Sequence, residues 1–449
     1  MNYTEEYKNK LSTAEEAVML VKSGDWVDYG HFACSPTYLD PVLAKRVKEL
    51  RDVKVRAVCY PGLAAVAMAD PSRRSFTYNN WHFSGGDRML HDRGLCNYIP
   101  LNYHEGADYY RHLRADVFMV KAAPMDRFGY FNFGPSNSIT RAIAESASIV
   151  IVEVNTNVPY CHGGHNEGIH ISDVHCIVES DNAPLISVPA AAVSEADRRI
   201  AERIIAQIED GSCIQLGIGG MPNAVGMMIA DSGLKDLGVH TEMLVDAYVD
   251  MYESGCVTNR RKSIDPGKIV YTFALGSRRL YDFLDRNPSC ASYSADYTND
   301  PVRIAFNDKV VSINNAVEVD LYGQVASESS GTRQISGTGG QFDFAFGAFH
   351  SKGGKSFLCL SSTKQDKQGN ILSRIRPTLA PGTIVTVPRT IAQYIVTEYG
   401  IAMLKGKSTW ERCEALIEIA HPSFHEDLIR EAGVMGIWTK GHKEDALVA

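Results

Sequence analysis

The feature that constrains this chain most is an internal duplication. Residues 13–30 hold a helical-looking stretch, 13–22, followed by Ser23-Gly24-Asp25-Trp26-Val27-Asp28-Tyr29-Gly30. Residues 196–217 hold a second helical stretch, then Asp210-Gly211-Ser212-Cys213-Ile214-Gln215-Leu216-Gly217. Both run helix, glycine, short alternating strand, glycine, which is a helix-to-strand unit stopped by a turn residue. About a hundred residues further on, Asp126-Arg127-Phe128-Gly129-Tyr130 in the first half is matched by Asp320-Leu321-Tyr322-Gly323-Gln324 in the second. Two correspondences in the same order predict two copies of one domain.

Between these landmarks, apolar strands alternate with helical patterns. Residues 149–154, Ile-Val-Ile-Val-Glu-Val, read as a buried strand after a helical stretch over 138–146, and 383–387 reads as another strand. Such interleaving predicts α/β domains with largely parallel sheets. A chain of 449 residues favours at least two domains. The boundary is expected within 183–195, where Pro184, Pro189 and small residues break the pattern, giving domains of 1–188 and 189–449. A formal net charge of −8 leaves no basic footprint for nucleic acid, and Arg260, Arg261 and Lys262 make only a short surface cluster. No apolar run approaches the ~20 residues that span a bilayer, and the N-terminus lacks the pattern of a secretory signal. The ten cysteines show no framework spacing and read as reduced thiols. A cytoplasmic protein is expected, with neither nucleic acid nor membrane as a partner.

Three segments could carry chemistry. Gly217-Ile218-Gly219-Gly220-Met221-Pro222-Asn223-Ala224-Val225 follows a predicted strand and precedes a helix, where glycines admit close approach of a ligand and a helix start attracts anions. Its spacing fails as a dinucleotide fingerprint, and a tight turn without a ligand is the plain alternative. His240-Thr241-Glu242-Met243 ends a short apolar run. A carboxylate there sits where open α/β sheets place ligands, although a lone glutamate is more commonly an exposed or capping residue. In Ser336-Gly337-Thr338-Gly339-Gly340-Gln341-Phe342-Asp343-Phe344, successive backbone N–H groups can form an oxyanion hole, with a flexible turn as the alternative and Asp343 a candidate to brace the loop. The dense set from Cys161 through His162, His165 and His170 to His175 and Cys176 matches no standard zinc spacing. It is read instead as a glycine-rich loop of the first domain lining a pocket. Tyr78, Trp81 and His82 are read as core or interface, with pocket lining as the alternative, and Cys359 as a small buried hydrophobe.

Taken together, the three segments resemble the acetyl-CoA hydrolase/transferase family, and within it the butyryl-CoA:acetate and 4-hydroxybutyrate CoA-transferase branch. Further matches are Asp296-Tyr297-Thr298-Asn299-Asp300-Pro301, Ser312-Ile313-Asn314-Asn315-Ala316-Val317-Glu318-Val319-Asp320, Ser361-Ser362-Thr363-Lys364 and the opening Ser23-Gly24-Asp25-Trp26-Val27-Asp28-Tyr29. The resemblance covers nearly the whole chain. It implies two related CoA-transferase-like α/β domains with the site in the cleft between them. It further implies that Glu242 is the nucleophile, that Asn299 lies near the reacting glutamyl carbonyl, and that the Gly340 N–H serves an oxyanion hole. Gly217, Ile218, Gly219, Gly220 and Met221 would form the loop against CoA. Lys364 would also meet CoA, with Lys352, Lys355 or Lys367 as alternatives, because the loop around Lys364 departs in length from the family form.

The implied reaction is ping-pong transfer of CoA between a short acyl-CoA and a carboxylate, with CoA thioester as substrate and neither metal nor permanently bound cofactor. A homo-oligomer is the expected assembly. Three alternatives compete: an acyl-CoA hydrolase using the same intermediate, a non-catalytic acyl-CoA-binding or sugar-phosphate-binding protein on this fold, and a nicotinamide-dependent oxidoreductase.

Overall fold

The computed structural model describes residues 3–164, 166–188 and 192–437. The first half builds a parallel sheet from β1 (Trp26–Tyr29), β2 (Val53–Ala57), β3 (Phe76–Asn80), β4 (Asn97–Tyr98), β5 (Ala115–Ala122), β6 (Ala147–Val154) and β7 (Cys176–Glu179). Their spatial order is β4-β3-β2-β1-β5-β6-β7. The second half repeats the plan with β8 (Cys213–Leu216), β9 (Gly238–Leu244), β10 (Ile269–Ala274), β11 (Cys290–Ser292), β12 (Val310–Asn315), β13 (Lys355–Cys359) and β14 (Tyr394–Thr397). Here the order is β11-β10-β9-β8-β12-β13-β14, with an antiparallel edge strand β15 (Gly400–Met403) beyond. The duplication read from the sequence is therefore a duplication of topology.

Register carries the match to single residues. Gly24 and Gly211 both take positive φ, 87° and 78°, so they are set against each other and Trp26 corresponds to Cys213. Trp26 pairs with Lys54 and Cys213 with Gly238, which makes Val58 the first-half counterpart of Glu242. The two aspartate turns also coincide. Asp126 Oδ1 accepts from Phe128 N and Tyr130 N, and Asp320 Oδ1 accepts from Tyr322 N and Gln324 N. Gly129 and Gly323 close these turns at φ 86° and 85°, a conformation that favours glycine.

Parallel strands covered on both faces need apolar residues on both, and β10 is buried at every position. The strand expected over 149–154 is β6. The strand expected over 383–387 does not form: of that segment only Val387 makes a bridge, to Val325. Pro388 has no N–H to continue a ladder, the Thr383 and Thr386 hydroxyls accept from Gly331 N and Ser327 N, and Ile384 is exposed. The sheet strand of that region is β14.

An apolar cluster runs from first-half residues such as Phe32, Phe118 and Phe131 to Met243, Phe273 and Ala295 of the second. Backbone bonds lace the seam: Ser138 N donates to Thr272 O at 3.0 Å, Ala274 N to Pro135 O at 2.7 Å, and Ser292 N to His162 O at 2.7 Å. The two sheets thus present the C-terminal ends of their strands to one cleft. The boundary expected between 188 and 189 falls where the described residues stop. Helix α1 (Glu195–Ile205) resumes the chain with a Ser194–Asp197 capping box.

Candidate active site

Glu242 sits on β9 facing the cleft, partly buried while its strand neighbours Thr241 and Met243 are buried. Asn299 closes the short helix α2 (Ala295–Thr298). Its Nδ2 donates to Glu242 Oε2 at 2.6 Å and lies 3.4 Å from Asp343 Oδ2. Gly340 is the N-cap of α3 (Gln341–His350), and its backbone N–H also donates to the Glu242 carboxylate. Any side chain at Gly340 would overlap both Glu242 Oε2 and Asn299 Nδ2. The close approach of backbone to carboxylate therefore requires glycine there. The glycine-rich segment read as a possible flexible turn is a helix entry with its donor aimed at the glutamate.

Burial dominates the electrostatics. It pushes the Glu242 carboxyl up to about 8, the Asp343 charge adds to the rise, and the Asn299 and Gly340 bonds oppose it. Asp343 is fully buried and is itself raised by burial. It accepts from His104 Nδ1 at 2.7 Å and from His104 N at 3.2 Å. A line of contacts thus runs from a first-half histidine through Asp343 and Asn299 to Glu242.

Two connected spaces open beside this carboxylate. A cavity of about 540 Å³ is bounded by Tyr60, Gly62 and Arg88 from the first half and by Gly217, Asn315 and Gly340 from the second. A smaller pocket of about 40 Å³ carries an apolar lining of Val58, Trp81, Leu101, Phe273 and Leu275, and it also touches Glu242. Phe32 stacks on Phe273 across the seam with centroids 3.6 Å apart. His82 spans Cys59 Sγ and Ser336 Oγ at 3.2 Å each, and burial lowers its imidazole to about 4, so it is neutral.

The structure brings Glu242, Asn299 and Gly340 together, with Gly217 and Ile218 on the cavity wall. Gly219, Gly220 and Met221 stand at the start of a helix (Gly220–Asp231), and Met221 is buried. Lys364 lies on a separate two-stranded hairpin and does not line the cavity. The glycine-rich loop expected at the acyl pocket packs elsewhere: Gly163 bridges Ser292, and Gly164 and Asn166 border Tyr293 and Tyr297. Backbone pairing with β11 holds it at the seam, outside the lining of both spaces, and His165 lies outside the described residues. Trp81 and His82, read as core or interface, line the site. Sequence reasoning missed Val58, Cys59, Arg88 and His104. Carrying the duplication through strand register would have found Val58, the counterpart of Glu242.

Comparison with known proteins decides the family. The acetyl-CoA hydrolase/transferase N-terminal domain matches residues 1–189, and the C-terminal domain of the same family matches 276–432. The chain belongs to the acetyl-CoA hydrolase/transferase family. Among its relatives, a butyryl-CoA:acetate CoA-transferase from Anaerostipes caccae is 51% identical, over 99% of this chain and 100% of that protein. RipA from Yersinia pestis has the same fold at a TM-score of 0.90 and 37% identity, over 97% of this chain and 100% of that one. A 4-hydroxybutyrate CoA-transferase from Porphyromonas gingivalis matches at a TM-score of 0.78 and 33% identity, with the same coverage. The CoA-transferase-like fold expected from the sequence is thereby established. In this family member the cleft lies between two copies of one fold, and the second copy presents the carboxylate.

Proposed function

We propose that the protein is an acyl-CoA:carboxylate CoA-transferase, moving CoA between a short-chain acyl-CoA such as butyryl-CoA and a carboxylate such as acetate. The observation that carries this reading is Glu242, a partly buried carboxylate held by two N–H donors at the mouth of a small apolar pocket. The pocket's apolar lining suits a short acyl chain, and the larger cavity beside it suits the body of CoA. The activities of the named relatives point the same way.

On this reading a Glu242 oxygen attacks the thioester carbonyl and displaces CoA thiolate, giving a mixed anhydride. The thiolate then attacks the glutamyl carbonyl carbon, which expels the first carboxylate and leaves a glutamyl-CoA thioester. An incoming carboxylate runs these steps in reverse and departs as the new acyl-CoA. Each addition places negative charge on an oxygen. The Asn299 amide and the Gly340 N–H already converge on the glutamyl group, and fixed donors of this kind are worth about 10²–10³ in rate. Desolvation makes the carboxylate more basic, hence a better nucleophile once ionised. The glycine segment with Gly217 and Ile218 forms the second-domain wall against CoA, and the two copies act as domains meeting at the cleft. CoA enters as substrate. Among the described residues no helix is long and apolar enough to cross a membrane.

The test is intact-protein mass after brief incubation with butyryl-CoA, followed by peptide mapping. A gain of CoA minus water on the peptide holding Glu242, discharged by acetate and absent from Glu242→Ala, is the expected result. No adduct and no acyl exchange with several acyl-CoAs would overturn the assignment.

A further inference from the structure

Arg88 stands in the cleft, and among the described residues its side chain has no internal partner. It lies on the helix Gly85–Asp92, which follows β3 and begins at the Ser84 capping box. Among the described residues bordering the 540 Å³ cavity it is the only lysine or arginine, and Glu242 borders the same space. Among the described residues no carboxylate comes within ion-pair distance of its guanidinium: the one ion pair of its helix is between Asp92 and Arg333. Its Nε is buried, and none of the described residues hydrogen-bonds to it. Its charge reaches the reacting region, since it acts on both Cys59 and His82.

These features ask for an anion. A guanidinium presents a planar fork of donors that matches a carboxylate or a phosphate, and a buried unpaired donor is costly unless something completes it. The buried Arg56 shows what a completed interior guanidinium looks like. Arg56 is paired with Asp28, its Nε and Nη2 2.8 and 2.7 Å from the two carboxylate oxygens. Arg88 has the same chemistry with its partner place left open to the cavity.

We propose that Arg88 is the anion anchor of the cleft, taking an oxyanion of the substrate. Two sources carry that chemistry on the function proposed above, on which this inference rests: a phosphate of CoA and the carboxylate of the acceptor acid. The helix places the anchor on the first domain, opposite the second-domain carboxylate, so one substrate bridges both halves.

Arg88→Gln and Arg88→Lys separate the possibilities. The anchor predicts that Arg88→Gln raises one Michaelis constant about tenfold or more, with Arg88→Lys intermediate, because a lysine keeps the charge and loses the fork. A phosphate partner raises KM for butyryl-CoA and weakens binding of free CoA by calorimetry, while turnover of butyryl-pantetheine, which lacks the phosphates, is as in the wild type. A carboxylate partner raises KM for acetate and leaves CoA binding unchanged. Arg88→Gln with both KM values and the CoA affinity within twofold of wild type overturns the proposal. Should Arg88→Gln not fold, the same assays on Arg88→Lys decide, and wild-type constants there overturn it equally. Absence of acyl exchange in the wild type would count against the transferase reading, whereas calorimetric affinities for free CoA and for acetate still judge Arg88, and both unchanged in Arg88→Gln overturn it.

Discussion

Burial keeps Glu242 protonated over a pH range in which an exposed glutamate is ionised, so the folded protein holds a proton that the unfolded chain releases. The sign follows from linkage. The stabilising contribution is complete below the ordinary value of 4.5 and is lost as pH rises through about 8. Glu242→Gln removes the titration and keeps an oxygen to accept from Asn299. The variant is therefore expected to melt higher than wild type, by a margin that is small near pH 5 and widens towards pH 9. Thermal melts across that range check it; a margin independent of pH would mean that Glu242 ionises like a surface residue. A buried carboxylate that lowers stability is a common trade-off at functional sites.

At the scale of elements, α3 does two tasks through its first turn, since Gly340 caps it and Asp343 braces Asn299. Its seat is set by Gly347, where an added Cβ would lie 2.7 Å from Ile304 Cβ and 2.9 Å from Pro301 O. Only a missing side chain lets α3 pack this close to the neighbouring helix Pro301–Phe306. Gly347→Ala must push the helices apart, at about 1–3 kcal/mol of stability. Melting temperature and kcat are both expected to fall, because the Gly340 donor and Asp343 shift with the helix. A variant with wild-type melting and full activity would show that the contact yields without moving the site. The sequence marked the glycine turn as a candidate oxyanion site. That the turn is the start of a helix seated on Gly347 follows from packing between segments, which a local pattern does not record.

At the scale of the whole molecule, first-half side chains hold the second-half loop that faces Glu242. Tyr98 donates to the buried Glu328 at 2.9 Å and accepts from Thr338 N at 3.2 Å, His82 meets Ser336, and His104 meets Asp343. The Arg333–Asp92 pair at the rim is exposed and contributes about 0–1 kcal/mol at most. The load falls on the buried contacts. Tyr98→Phe combined with His104→Ala is expected to lower acyl transfer by about ten- to a hundredfold, since small misplacement of reacting groups is costly. It should also raise the share of thioester lost to water, because exclusion of water depends on closure of the cleft. Transfer and hydrolysis measured side by side check this. Unchanged rates and an unchanged ratio would mean the second half holds its loop unaided.

The sequence by itself determined the repeated strand plan, the two aspartate turns and the three segments of the family, because these depend on local rules: strand alternation, glycine at positive φ and short turn chemistry. The fate of 383–387, the displacement of the loop around Cys161, and the arrival of Arg88 and His104 at the cleft were decided only by tertiary structure. Two copies of one fold face each other there. The groups that meet across the seam lie far apart in the chain, and no periodicity within either copy states which side chains the other will receive.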